Sequence, residues 1–218
     1  MDIVENAERF ARGRHAGQFR KGKAKEPYVT HLEEVCDLVK QWGGSDIEQA
    51  AAWLHDTVED CPPTSLLELE QEFGTDITQI VGELTDDKSL PKAERKALQV
   101  HNAPKKTTSA ALVKLADKTS NIGALSKSPP DGWDLQRRLD YIEWAQRVVD
   151  ALPYKHVAGM KEFEKRCDLA ILRAYEDLGS IRQAQNAALE MLSRKAKRAG
   201  LDHAQAENFI KNFVKSNL

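Results

Sequence analysis

Apolar residues recur along this chain at spacings of three and four, the mark of helices with one buried face. Ile3, Ala7, Phe10 and Ala11 form the first stripe, with Asp2 and Glu5 as a capping pair. Gly13, Gly17, Gly22 and Pro27 then interrupt a stretch carrying Arg12, Arg14, Arg20, Lys21, Lys23 and Lys25, which predicts a basic loop over 13–28. Thr30, His31, Leu32 and Glu33 open a helix that runs to Trp42 and stops at Gly43 and Gly44. Asp46 with Gln49 predicts the next start, and one helix carries the apolar run 50–54 and the polar residues after it as far as Cys61, Pro62 and Pro63. Ser65 with Glu68 starts another, to Gly74, and Thr75 or Asp76 caps one that reaches Leu84.

Residues 85–110 are polar and basic, with no element assigned. The run 110–116 is apolar and short, and its periodicity does not separate helix from strand. Helix is preferred because no second convincing strand exists to pair with it. A polar loop at 126–131 precedes long helices over about 135–152 and 156–178. Gly179 and Ser180 break the pattern. Ser180 with Gln183, and Asp202 with Gln205, then start two further helices. The expectation is an all-α fold with non-parallel helix packing, a main domain over 1–178 and a C-terminal helical extension over 179–218.

At 218 residues and 41% hydrophobic, the chain is large enough to bury a core. A net charge of −2 gives no bulk case for nucleic acid or a membrane surface, so an anion site must be a local basic cluster. Cys36, Cys61 and Cys167 are an odd number at wide spacing, which argues against a disulfide framework and for a reducing, cytoplasmic setting. The N-terminal residues do not have the form of a signal peptide, and no apolar run approaches membrane-spanning length.

The segment 53–60 carries the chemistry. His55, Asp56, Glu59 and Asp60 fall within six residues, directly behind five apolar ones. On one helix Glu59 would stack over His55 and Asp60 over Asp56. Crowded carboxylates repel unless a cation or an ordered network compensates, which makes a metal site the first hypothesis. His31, near a helix start, and Asp117, closing the apolar run, are the candidates for further ligands. Two imidazoles and two carboxylates suit Mn²⁺ or Fe²⁺ better than a structural zinc.

The succession His31, His55-Asp56, Asp117 resembles the signature of HD-domain metal phosphohydrolases. The words around it (His15 to Lys21, Pro27 to His31, Ala52 to Asp60, Val113 to Asn121) resemble the hydrolase domain of RelA/SpoT homologues. Thr85 to Lys96, Gly132-Trp133 and Tyr141 to Ala145 resemble the stand-alone small alarmone hydrolases, the metazoan SpoT homologue among them. The likeness covers about residues 3–178. It implies hydrolysis of ppGpp or pppGpp to GDP or GTP with release of pyrophosphate, with ppApp-type alarmones as further substrates. It also implies one Mn²⁺ held by His31, His55, Asp56 and Asp117, and a catalytic acid pair, Glu59 and Asp60. Arg20, Lys21 and Asn121 match substrate-contacting positions, and Arg138, Tyr141, Lys88, Arg95 and Lys96 are expected near the nucleotide. An alternative is a phosphatase acting on NADPH or another purine nucleotide with a ribose phosphate, and a third reading is a non-catalytic nucleotide sensor. One departure stands out: Asn121 is followed by Ile122 and Gly123, where many relatives carry an apolar residue and then arginine. The stripe of residues 181–214 needs burial, against the domain or in a homo-oligomer.

Overall fold

The computed structural model describes residues 2–177, 189, 190, 192–194, 196, 197, 200, 202, 204, 205 and 208. Among them every regular element is a helix. Helix α1 (Ile3–Arg14) is capped by Asp2, whose carboxylate accepts from the Val4 amide. Helix α2 (Val29–Gln41) buries His31, Leu32, Val35, Cys36, Leu38 and Val39 on one face. Helix α3 (Asp46–Leu54) starts one residue earlier than Asp46 with Gln49 would place it. Ser45 is the cap and Glu48 answers it, completing both bonds of a capping box.

The expected single helix through residue 60 is broken. α3 ends at Leu54, and α4 (Thr57–Asp60) is one turn. The Thr57 hydroxyl donates to the Leu54 carbonyl at 2.7 Å, a side-chain bond that competes with the helical ladder at the break. Helix α5 (Leu66–Phe73) is capped by Ser65. Gly74, with φ +83°, ends it and starts α6 (Thr75–Leu84), so the cap is neither Thr75 nor Asp76.

The polar stretch 85–110 hides a helix, α7 (Lys92–Asn102). None of its residues is fully buried, so the apolar stripe that would announce it is weak. A 3-10 turn (Ala103–Lys105) leads into α8 (Thr108–Lys127), capped by Thr107. α8 is buried continuously from Ala110 to Ser120, which explains why the run 110–116 has no helical period: every side of the helix faces protein. Helices α9 (Leu135–Ala151) and α10 (Val157–Glu176) are capped by Asp134 and His156. α8 is the axis of the fold, touching α2, α3, α6, α9 and α10, while α1 and α2 close over α3.

The basic stretch 15–28 is pinned as a loop by isolated backbone pairings of Phe19 with Pro27 and Gly22 with Pro130. A Cβ at residue 22 would sit 2.3 Å from the Ser128 carbonyl oxygen, so only glycine permits this approach. The helices expected over 181–198 and after 202 lie mostly outside the described residues. Those described show Leu192 and Ala196 buried and the Arg194 guanidinium donating to Gln146 Oε1 on α9 at 2.7 Å.

Candidate active site

Three elements converge on one point: the start of α2 brings His31, the break between α3 and α4 brings His55 and Asp56, and mid-α8 brings Asp117. Ligand atoms of His31, His55 and Asp117 all lie within 4.8 Å of one another. His31 Nε2 is 3.6 Å from Asp56 Oδ2 and 3.5 Å from Asp117 Oδ1; His55 Nε2 is 3.2 Å from Asp56 Oδ2. His55 and Asp56 themselves sit at the break, between the end of α3 and the start of α4.

The hydrogen bonds fix what these rings present. His55 Nδ1 lies 2.8 Å from the Ala52 carbonyl, which can only accept, so Nδ1 carries the proton. His31 Nδ1 lies 2.9 Å from Ser120 Oγ, whose own proton goes to Glu34 Oε2 at 2.6 Å, so this ring donates from Nδ1 as well. In a neutral ring this leaves Nε2 as the acceptor, the form in which imidazole binds a metal, and both Nε2 atoms face the acids: His31 Nε2 lies near Asp56 and Asp117, and His55 Nε2 near Asp56. His55 Nε2 is buried with no hydrogen-bond partner. Two ring nitrogens that can each give up a proton for a metal, and two carboxylates, around one point fit a divalent ion.

Repulsion between the acids is a weaker argument for that ion than the sequence implies, because three of the four have basic partners. Asp117 is flanked by the buried Lys114 and Lys118 ammonium groups at 3.4 and 3.2 Å. Burial pushes its carboxyl up, but these lysines hold it well below the usual range. Glu59 faces Arg95 Nη1 at 3.5 Å, and Asp60 is paired with Lys88. Among the described residues Asp56 has as side-chain partners the two imidazoles and the Tyr28 hydroxyl, which donates to it at 2.6 Å. Its carboxyl is pushed up by burial and pulled well below normal by His55 and His31. His55 is pushed down by burial, yet Asp56 and then Asp117 raise it to about 9. The field at this point favours a cation.

The acid pair is divided by its surroundings. Asp60 reaches the cavity beside the histidines, and its Oδ2 lies 3.3 Å from the Tyr28 hydroxyl. Glu59 points to the α6–α7 connection, where the Asp86 amide donates to it at 3.3 Å. Burial, then Asp56 and Asp86, raise the Glu59 carboxyl, so it holds a proton more readily than an exposed glutamate.

A cavity of about 590 Å³ opens beside the cluster, within the span of small-molecule sites. Arg20, Lys21, Asn121 and Tyr141 line it, together with His31 and Asp60. Asn121 also donates to Asp117 Oδ1 at 2.6 Å, one helical turn away, and Arg20 lies 3.5 Å from Asn121 Oδ1. Lys88 and Arg95 sit at the acid pair. Lys96 lies over the Trp144 ring, 4.5 Å from its centre. Arg138 is turned away: its guanidinium meets Asp177 at 2.5 Å and the Trp133 carbonyl at 3.2 Å.

Sequence reasoning gave no role to Tyr28, Glu34, Lys92, Lys114, Lys118 or Ser120. Lys92, at the start of α7, lines the cavity as a further cation. Lys114 and Lys118 stand three before and one after Asp117, a spacing visible in the chain; the others meet the site only through folding.

The HD-domain family matches this chain over residues 7–146. The chain is 45% identical over 152 residues to the human guanosine-3′,5′-bis(diphosphate) 3′-pyrophosphohydrolase MESH1, spanning 69% of this chain and 84% of the relative. The Xenopus tropicalis protein of the same name is 44% identical over the same shares. A solved metazoan ortholog of SpoT, which hydrolyzes ppGpp and plays a role in starvation responses, superposes with a TM-score of 0.72 at 36% identity, covering 76% of this chain and 94% of that one. The converging imidazole nitrogens, the paired acids and the basic cavity thus lie in a chain that belongs to the HD-domain family, among the MESH1-type relatives of SpoT.

Proposed function

We propose that the protein is a Mn²⁺-dependent 3′-pyrophosphohydrolase that converts ppGpp and pppGpp to GDP and GTP, with ppApp-type alarmones as further substrates. The observation that carries this reading is the pair of imidazole Nε2 atoms facing Asp56 and Asp117 beside a cavity lined by Arg20, Lys21 and Lys92. Enzymes named for this reaction are 43–46% identical to the chain. His31, His55, Asp56 and Asp117 would hold the ion, which when bound polarises a phosphoryl oxygen and lowers the pKa of water.

The chain's own groups do the rest. Arg20, Lys21 and Lys92 offset the phosphate charge, and the Arg20 guanidinium can lie flat on a purine. Asn121 spans Asp117 and Arg20, so it ties ligand cluster to nucleotide pocket. Tyr141 closes the apolar side of the cavity with Trp133, their rings 5.4 Å apart. Asp60, open to the cavity, takes the proton of the attacking water. Glu59, with its raised pKa, carries a proton for the ribose oxygen released when the 3′ O–P bond breaks. Lys88 pairs with Asp60 and Arg95 faces Glu59, so each acid is held by its own cation. The three buried cysteines suit a reducing cytoplasm.

The test is product analysis of the Mn²⁺-loaded protein given ppGpp, ppApp and NADPH separately. GDP and pyrophosphate from ppGpp is the expected result. Inert ppGpp with rapid release of phosphate from NADPH would replace this reading with the nucleotide phosphatase.

A further inference from the structure

Arg166 lies on α10, beyond the residues matched to the HD domain, yet it is three hydrogen bonds from a ring at the centre of the site. Its Nη1 donates to Glu34 Oε1 at 2.6 Å. Ser120 Oγ donates to the other oxygen of Glu34 at 2.6 Å and lies 2.9 Å from His31 Nδ1. The guanidinium is held from its other side by Glu162, which accepts from Nε at 2.9 Å. It also fills the space beside Gly123: a Cβ there would come within 2.7 Å of Nη1. Gly123 is therefore the opening through which an arginine from another helix reaches α2.

We propose that Glu34, held from its far side by Arg166, is a positioning residue for His31, acting through Ser120 to keep the His31 proton on Nδ1 and Nε2 turned into the ligand cluster. This rests on reading His31 as a metal ligand. The direction of the relay follows from donor and acceptor capacity. Arginine only donates, so it requires an acceptor at Glu34 Oε1. The ionised carboxylate only accepts, so it takes the one proton of the Ser120 hydroxyl. Ser120 is left to accept from His31, and a neutral ring protonated on Nδ1 is bare at Nε2, the atom 3.5 Å from Asp117 and 3.6 Å from Asp56. Partners of this kind set the tautomer and basicity of a ligating histidine.

Glu34→Gln tests the polarity. Because Arg166 cannot accept, the amide oxygen must face it and the amide NH₂ must face Ser120. The serine proton is then released toward His31 Nδ1, and the ring shifts to the Nε2–H form. In Glu34→Gln with Arg166→Met nothing forces that orientation, so the amide can turn its oxygen back to Ser120 and restore the relay. The full chain is measured in two ways: ¹⁵N NMR of the His31 ring without metal, at a pH where the ring is neutral, and Mn²⁺ affinity by calorimetry, with thermal unfolding of each metal-free variant as a check on folding.

The wild type should show Nδ1–H. Glu34→Gln should show Nε2–H and bind Mn²⁺ about 10- to 100-fold more weakly. The double variant should recover Nδ1–H and bind at least about threefold more tightly than Glu34→Gln, where simple loss of packing would make it worse. An unchanged tautomer in Glu34→Gln, or a double variant weaker than that single one, would overturn the proposal. Should Glu34→Gln fail to fold, Ser120→Ala serves instead: it removes the acceptor, and unchanged Mn²⁺ affinity would sink the relay. A wild type that binds no Mn²⁺ would overturn the metal reading, while the ring tautomers still decide the relay.

Discussion

The Tyr28 hydroxyl donates to Asp56 Oδ2 at 2.6 Å and stands 3.3 Å from Asp60 Oδ2, so one phenol links the ligand cluster to the acid pair. Tyr28 is itself stacked on His15, ring centres 4.8 Å apart, which fixes where the hydroxyl can point. Asp56 is the acid without a lysine or arginine partner among the described residues, so this donor bears on it more than on the others. Tyr28→Phe should weaken Mn²⁺ binding by roughly tenfold, the value of about 1.5 kcal/mol for a hydrogen bond to a charged group. Calorimetric titration of the variant against wild type checks this, and equal affinities would remove Tyr28 from the site.

The acid pair should separate from the ligands in a second experiment. Asp60→Asn should lower kcat by about 10²- to 10⁴-fold, the usual weight of a positioned acid or base, while Mn²⁺ affinity stays near wild type. Glu59→Gln should also lower kcat, and it should move the alkaline limb of the pH profile, since its carboxyl is raised by burial and by Asp56 and Asp86. Loss of metal binding in both variants would reassign them as ligands.

Asp117 has two jobs, and its removal should reveal both. It faces His31, and it also neutralises the buried Lys114 and Lys118. Asp117→Ala should abolish tight Mn²⁺ binding and also destabilise the metal-free fold by about 3–5 kcal/mol, because uncompensated buried charge remains. His55→Ala should lose the metal with a smaller change in urea midpoint. Equal unfolding midpoints for the two metal-free variants would contradict the double role.

Lys106 offers a pH test away from the site. Burial pushes its ammonium group down to about 8, with Lys114 adding to the effect, against an ordinary 10.5. A lysine whose folded pKa is lowered binds fewer protons when folded, so stability is lowest below pH 8 and rises as pH climbs from about 8 toward 10.5. The gain attributable to Lys106 should be on the order of 2 kcal/mol, reduced from the full shift by its partial exposure. Lys106→Met should flatten that rise and be more stable than wild type at neutral pH, as read by urea unfolding across the range.

Local chemistry made most of the fold legible. Caps at Asp2 and Ser65, the glycine stop after Trp42 and the regular stripes of α2, α9 and α10 depend on neighbours within a turn or two, and these interactions are written in adjacent residues. The same holds for the all-α class and for His55-Asp56 as the richest segment. Elements with weak or absent stripes were harder: α7, with no fully buried face, passed for loop, and α8, buried all round, gave no period. The break after Leu54, where the Thr57 hydroxyl takes the Leu54 carbonyl, has no glycine or proline to announce it.

Tertiary structure decided the charge balance and the direction of each proton. No spacing along the chain says that Arg95 meets Glu59, that Tyr28 meets Asp56, or that Arg166 meets Glu34 across α8, because these pairs are 28 to 132 residues apart. The sequence alone determined which groups could bind a metal and handle water, since that follows from residue type and local spacing. Which acids are already neutralised, and which ring nitrogens stay bare, depends on partners brought together only by helix packing.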